Sequence, residues 1–254
     1  GTVNVNTPKF ITFPAPGTYK LTITGTYPRP LVGFGGDAPK LLSVEQWGTN
    51  HWTSMQQAFQ GCTNMVINAT DVPDLSGVTS MNAMFYGASS VNSDLSSWDV
   101  STVTDMSFAF SFATSFNGNI STWNMSSVTD MNAMFQHAES FNQDISSWNV
   151  SSVTNFYQVF SGALVFNGNI GGWNVSNGTM MGQMFTNAVQ FNQDISAWNV
   201  GLVNDMGGMF LGATSFNQNL NSWNVSNVIN MTSMFEGATA FNGEISPTLR
   251  QSPT

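Results

Sequence analysis

Six tryptophans, Trp98, Trp123, Trp148, Trp173, Trp198 and Trp223, follow one another at intervals of 25 residues. A fixed period of this length marks one structural unit stacked repeatedly. A unit so short cannot bury an apolar face alone and must lay it against its neighbours. Other positions keep the same beat. Phe85, Phe110, Phe135, Phe160, Phe185, Phe210 and Phe235 recur as Phe, and the Ala three residues after each recurs from Ala88 to Ala238. Asn92, Asn117, Asn142, Asn167, Asn192, Asn217 and Asn242 recur as Asn.

Within one unit, Ile145-x-x-Trp148-x-Val150 has the L-x-x-L-x-L spacing of a leucine-rich-repeat strand. That spacing puts Trp148 and Val150 on one side and Asn149 on the other. One unit earlier, Ser127-Val128-Thr129-Asp130 reads as a capping box with Asp in the Glu place. Val128, Met131, Met134, Phe135 and Ala138 then follow at helical spacing. Each unit therefore predicts strand, turn, short helix and loop. The expected fold is an α/β solenoid, a leucine-rich-repeat-like right-handed coil of short parallel strands and short helices. The rival is a parallel β-helix, against which the Met-x-x-Met-Phe-x-x-Ala run argues, since Met and Ala favour helices and Ala is a poor strand former. The Met stripe reads as core, and the Asn column as an internal ladder in which each amide bonds the next unit or its own turn.

Residues 1–40 do not fit the repeat. Lys9–Phe13 and Thr18–Thr24 read as strands joined by Pro14-Ala-Pro-Gly17, a small β cap over the first coil. The solenoid is expected over 41–246, about eight coils, with Trp47, Trp52, Met55, Phe59 and Cys62 as a degenerate first one. Residues 247–254 form a short tail, with Thr248 where the next Trp would stand. The opening Gly-Thr-Val reads as a mature or trimmed start.

Charge narrows the function. Only 7% of the residues are charged, yet 41% are hydrophobic, so the chain can bury a core and covers it with amides and hydroxyls. No Lys or Arg lies between residues 41 and 249, whereas 13 of the 14 acids do. Nucleic acid and anionic membrane surfaces both need basic residues, so neither is an expected partner. No apolar run reaches membrane-spanning length, and the single Cys62 permits no internal disulfide.

The outward strand positions are Asp99, Asn124, Asn149, Asn174, Asn199 and Asn224, a candidate polar face and a uniform one. N-x-S/T sequons stand at Asn68, Asn119, Asn124, Asn149, Asn174, Asn177, Asn224 and Asn230 as candidate glycosylation sites. The position two after each ladder Asn alternates as Asp94, Asn119, Asp144, Asn169, Asp194, Asn219, which keeps like charges about 10 Å apart if units rise ~4.8 Å. A calcium ladder is the sharper alternative, but so few carboxylates are thin for a hard cation. The least regular copy carries Phe156 for Met, and Tyr157, Leu164 and Val165 mostly replace small or polar residues, which marks a candidate partner contact. His51 and His137 lie apart in sequence with no nucleophile or metal motif, so neither catalysis nor a cofactor is expected.

The run Phe141-Asn-Gln-Asp-Ile-Ser-Ser-Trp-Asn-Val-Ser-Ser-Val-Thr154 resembles the BspA-like leucine-rich repeats of microbial surface proteins, in particular a surface-lipoprotein repeat branch of unknown function. Gly17-Thr-Tyr-Lys-Leu-Thr-Ile-Thr-Gly25 and Val44-Glu-Gln-Trp-Gly48 resemble the segment that leads into such repeats, and the resemblance covers about residues 15–246. Phe156 and Gly178 depart from the pattern, which expects Met and Val there. The resemblance implies a secreted or surface protein that adheres to or recognises a protein or glycan, with no catalytic residues. A self-assembling subunit of an extracellular filament, sheath or virion is the alternative, with association through the ends of the stack.

Overall fold

The computed structural model describes residues 2–4, 15, 17–24, 26–32 and 36–243. Strand β1 (Thr2–Asn4) pairs in parallel with β2 (Thr22–Thr24), and β3 (Ser43–Val44) pairs in parallel with β4 (Val66–Ile67). A 3-10 helix spans Ala38–Lys40. The expected strand at Lys9–Phe13 and the tail at 247–254 lie outside the described residues. Strand β2 falls inside the Thr18–Thr24 run.

Beyond residue 80 the units lie against one another in parallel and in register. Single-residue bridges join Ser80, Asp105, Asp130, Asn155, Met180, Asp205 and Asn230 in sequence, each 25 residues from the next. The core runs through the stack as columns of identical side chains. Phe85 to Phe235 form one column, with ring centroids 5.5–5.8 Å apart. Phe116 to Phe241 form a second, spaced 5.9–6.0 Å. Within each unit the two rings stack at 3.9–4.2 Å. The five tryptophans from Trp123 to Trp223 are buried beside them, and the indole N–H of each donates to a carbonyl 28 residues earlier: Trp123 to Leu95, Trp148 to Ile120, Trp173 to Ile145, Trp198 to Ile170, Trp223 to Ile195. Pro73 stands one period before Trp98. There Trp47 packs edge-on to Trp98, with centroids 5.3 Å apart.

The secondary structure of the unit differs from the expectation. No α-helix occurs among the described residues. In the run expected to be helical, Met131, Ala133, Phe135 and His137 donate their N–H groups to Asn155, Tyr157, Val159 and Ser161 of the next unit at 2.7–3.1 Å. The residues between them, Met134, Gln136 and Ala138, donate three residues back, to Met131, Ala133 and Phe135. The segment is thus a train of turns whose alternate donors face the neighbour. The left-handed backbone of Ala133 (φ 51) and His137 (φ 53) turns those donors outward. An L-residue in that region costs about 1–2 kcal/mol. The cost is removed in the units where Gly holds the second position, as at Gly87 and Gly162.

The strand expected at Ile145–Val150 is likewise absent. Trp148 N–H closes a turn on Ile145 and Val153 N–H one on Val150. Between them, Asp144 and Asn149 capture the N–H groups of Ser146 and Ser151 at 3.0 and 3.1 Å. Side chains that bond their own backbone two residues on compete with a strand ladder, and here they win.

The irregular copy is packed by compensation. Phe156 is fully buried, and a Cβ on Gly178 would come within 3.2 Å of its ring. The larger ring at 156 fills the space that the missing Val side chain at 178 leaves.

Candidate functional site

The candidate polar face is real as a surface and committed as a turn. Asp99, Asn124, Asn149, Asn174, Asn199 and Asn224 are exposed, and the Oδ1 of each accepts the N–H two residues on at 3.0–3.2 Å. Beside this row, Ser127, Ser152, Asn177 and Asn227 donate to carbonyls of the preceding unit, at Ser101, Ser126, Ser151 and Gly201. The face is therefore a fixed grid of amides and hydroxyls tied along its length.

The Asn ladder lies at the surface rather than inside. The N–H groups of Asn117, Asn142, Asn167, Asn192, Asn217 and Asn242 each bond the Oδ1 of the Asn one unit earlier, at 2.7–2.9 Å. Gln143, Gln193 and Gln218 add a second bond to the preceding unit's Asn carbonyl. A groove of about 310 Å³ follows this ladder between Asn142 and Asn169.

The sequons divide by geometry. Asn124, Asn149, Asn174 and Asn224 are exposed and use only Oδ1 in their turns. Asn68, Asn177 and Asn230 spend Nδ2 on Glu45, Ser151 and Asp205. Asn119 is half-buried, with Oδ1 bonded to Ser121.

Tyr157 and the pair Leu164 and Val165 do not form one patch around a shared cavity. Tyr157 lies over Gly182, where a Cβ would come 3.1 Å from its ring, and lines a cavity that includes neither Leu164 nor Val165. Leu164 is 37% exposed and Val165 half-buried.

Two arrangements escaped the sequence reading. His51 Nδ1 lies 2.9 Å from Asp74 Oδ2 and 3.4 Å from Ser76 Oγ, and Ser76 Oγ donates to Asp74 Oδ1 at 2.6 Å. A catalytic triad needs the carboxylate and the hydroxyl on opposite imidazole nitrogens. Here both meet the same one, and the serine closes a turn on the aspartate. His137 instead stacks on Phe112 at 4.7 Å. Among the described residues no three His, Cys, Asp or Glu come together as a metal site. Cys62 is buried, and that burial pushes its thiol up to about 11.

The turn-capping carboxylates are held below the usual 3.8. The Ser76 hydroxyl, then His51 and the Ser76 N–H, bring Asp74 down to about 2. The hydroxyl and N–H of Ser96, Ser146 and Ser196 lower Asp94, Asp144 and Asp194 in the same way. A depressed folded value stabilises the fold above the unfolded value and is lost as pH falls through the folded one. The melting temperature is therefore expected to hold above pH 4 and fall from there to about pH 2. Replacing Asp94, Asp144 and Asp194 together by Asn should flatten that slope. A melting temperature that rises on acidification would contradict the turn-capping role.

A family model described as "Mycoplasma protein of unknown function, DUF285" matches residues 53–171 and again 147–248. The two matches overlap over residues 147–171, which is 171 − 147 + 1 = 25 residues, one unit of the repeat. No curated protein and no solved structure matches the chain. With the matches covering residues 53–248 of 254, the chain belongs to the DUF285 family.

Proposed function

We propose that the chain is a secreted or cell-surface recognition module, built as a solenoid related to the leucine-rich repeats, whose long polar face adheres to a protein or glycan partner without catalysis. The observation that carries this reading is the exposed row from Asp99 to Asn224, fixed by six Asx turns and free of basic residues. Rigid donors and acceptors, uncharged from Asn124 onward, repeated along a face make many weak hydrogen bonds at once, and such multivalent contact sums to useful avidity. The experiment is binding of the purified chain to immobilised mucin-type glycoprotein and to an unglycosylated matrix protein. The variant changes Asn124, Asn149, Asn174 and Asn199 together to Ser, which removes the amides, adds no charge and leaves a side-chain oxygen to accept each turn N–H. Binding should fall at least about tenfold with little change in melting temperature. Binding unchanged by the four substitutions, or none to either surface, overturns the reading.

A second reading is a self-assembling structural subunit of a filament, sheath or virion. Ile229 in the last described unit is 89% exposed, and Phe235 and Phe241 are only partly buried there. Size-exclusion chromatography separates the two: ordered polymers at micromolar concentration favour this second reading, a monomer the first.

A further inference from the structure

Two columns of side chains lapse at one place. One reads Asn82, Ser107, Asn132, Tyr157, and then Gly182 and Gly207; beside it Gln158 and Gln183 give way to Gly208. The absent side chains leave a cavity of about 270 Å³ with Tyr157 at one end and Thr232 and Ser233 at the other. The polar groups around it are left over from interrupted ladders. Asp205 Oδ1 accepts from the Gly207 N–H and from Asn230 Nδ2, at 2.9 and 2.7 Å. Its Oδ2 takes no bond among the described residues. In the corresponding rung, Asp105 Oδ2 accepts from Ser80, but the residue one unit before Asp205 is Met180, which has no donor side chain. Likewise Gln136 donates to Gln158 and Gln158 to Gln183. Gln183 Nε2 comes next in that relay, and Gly208 offers it no side chain.

One carboxylate acceptor, one amide donor and two hydroxyls thus line a small cavity walled by an aromatic ring. An apolar ligand would leave Asp205 and Gln183 buried and unpaired. An anion would face Asp205 on a chain of formal net charge −9. A hard cation needs more oxygen ligands than one free carboxylate. A neutral sugar ring satisfies the whole set: adjacent hydroxyls donate to the carboxylate and accept from the amide, while its C–H face lies on the tyrosine. A few polar groups converging on a concave site beside an aromatic ring are the general form of a small-molecule site.

We propose that this cavity binds a single neutral pyranose sugar through Tyr157, Gln183 and Asp205. The proposal rests on the recognition-module reading and gives it a ligand class and a place outside the uniform face. The test is saturation-transfer NMR on the whole chain with methyl glycosides of glucose, galactose, mannose and N-acetylglucosamine, each at about 10 mM, a concentration that populates even a weak site. At least one glycoside should show saturation transfer. Gly172→Ala, which lies outside this cavity, should keep it. Asp205→Asn, which retains Oδ1 for the turn, and Tyr157→Ala should each weaken binding roughly tenfold or more. Melting temperatures show that each variant is folded. No transfer from any of the four sugars, or equal binding by Asp205→Asn and the parent chain, overturns the proposal. Mucin or matrix binding that persists in that case leaves the polar-face reading standing and removes only this subsite.

Discussion

Phe160→Ala is expected to lower stability by about 3–5 kcal/mol, at the upper end of large-to-small core changes. Phe160 is fully buried and stacks on Phe135 at 5.8 Å, Phe185 at 5.8 Å and Phe166 at 3.9 Å, with Trp173 at 6.2 Å. Removing its ring opens a cavity that neighbours from three units cannot close, because each is held by the same stacking. Phe235→Ala removes the same ring from the last described unit, where the residue is only partly buried. Its cost should be well below that at Phe160. Urea midpoints of the two variants measure this difference. Equal losses would mean that the aromatic columns do not carry the stack.

Gly118→Ala carries the second large effect, and its cause is main chain rather than side chain. A Cβ at Gly118 would lie 2.0 Å from the carbonyl oxygen of Ser93 and 2.9 Å from its carbonyl carbon. Neither atom can rotate aside, so two units must move apart, at a cost at or above the ~1–3 kcal/mol of ordinary overpacking. Gly172→Ala is the matched control. Nothing lies within 4 Å of its Cβ position, so the change should be neutral or stabilise by up to about 1 kcal/mol through the unfolded chain. Melting temperatures that fall equally for both would contradict the close backbone approach.

Most residues that build the core from Phe85 onward were legible from their period, because a buried column repeats its residue type regardless of how the backbone turns. The Phe, Trp, Met and Ala positions fall in this class; the Asn ladder is at the surface and keeps its period because each Asn bonds the next unit. The backbone was not legible. Spacing such as Met131, Met134, Phe135 and Ala138 reports which side chains share a face, and a train of turns shares that face as well as a helix does. The discriminating signal was the residue before each recurrent Ala. It is Gly at 87, 162, 212 and 237, Asn at 187, Phe at 112 and His at 137, and all seven have positive φ. A helix interior disfavours Gly, and a left-handed turn position selects it. The Asp/Asn-x-Ser pairs carried a similar message, since they feed their own turns in place of a strand.

The candidate site was legible only in part. Asn124, Asn149, Asn174 and Asn224 were placed outward from spacing alone, and they are exposed. The cavity beside Tyr157 was not foreseen, because its parts lie one to three periods apart in sequence. Tyr157 over Gly182 becomes visible only when each residue is compared with the one 25 positions on.

Residue-resolved amide hydrogen exchange tests most directly whether the units are held by one another. Met131, Ala133, Phe135 and His137 donate across to the next unit. Met231, Ser233 and Phe235 hold the same places in the last described unit and have no such acceptor among the described residues. Exchange at Met131, Ala133 and Phe135 should be slower by orders of magnitude than at Met231, Ser233 and Phe235, with Met134 and Met234 closer to each other in protection. Equal protection of the two sets would mean that each unit holds its own backbone, as a helix does, and would contradict the interlocked stack.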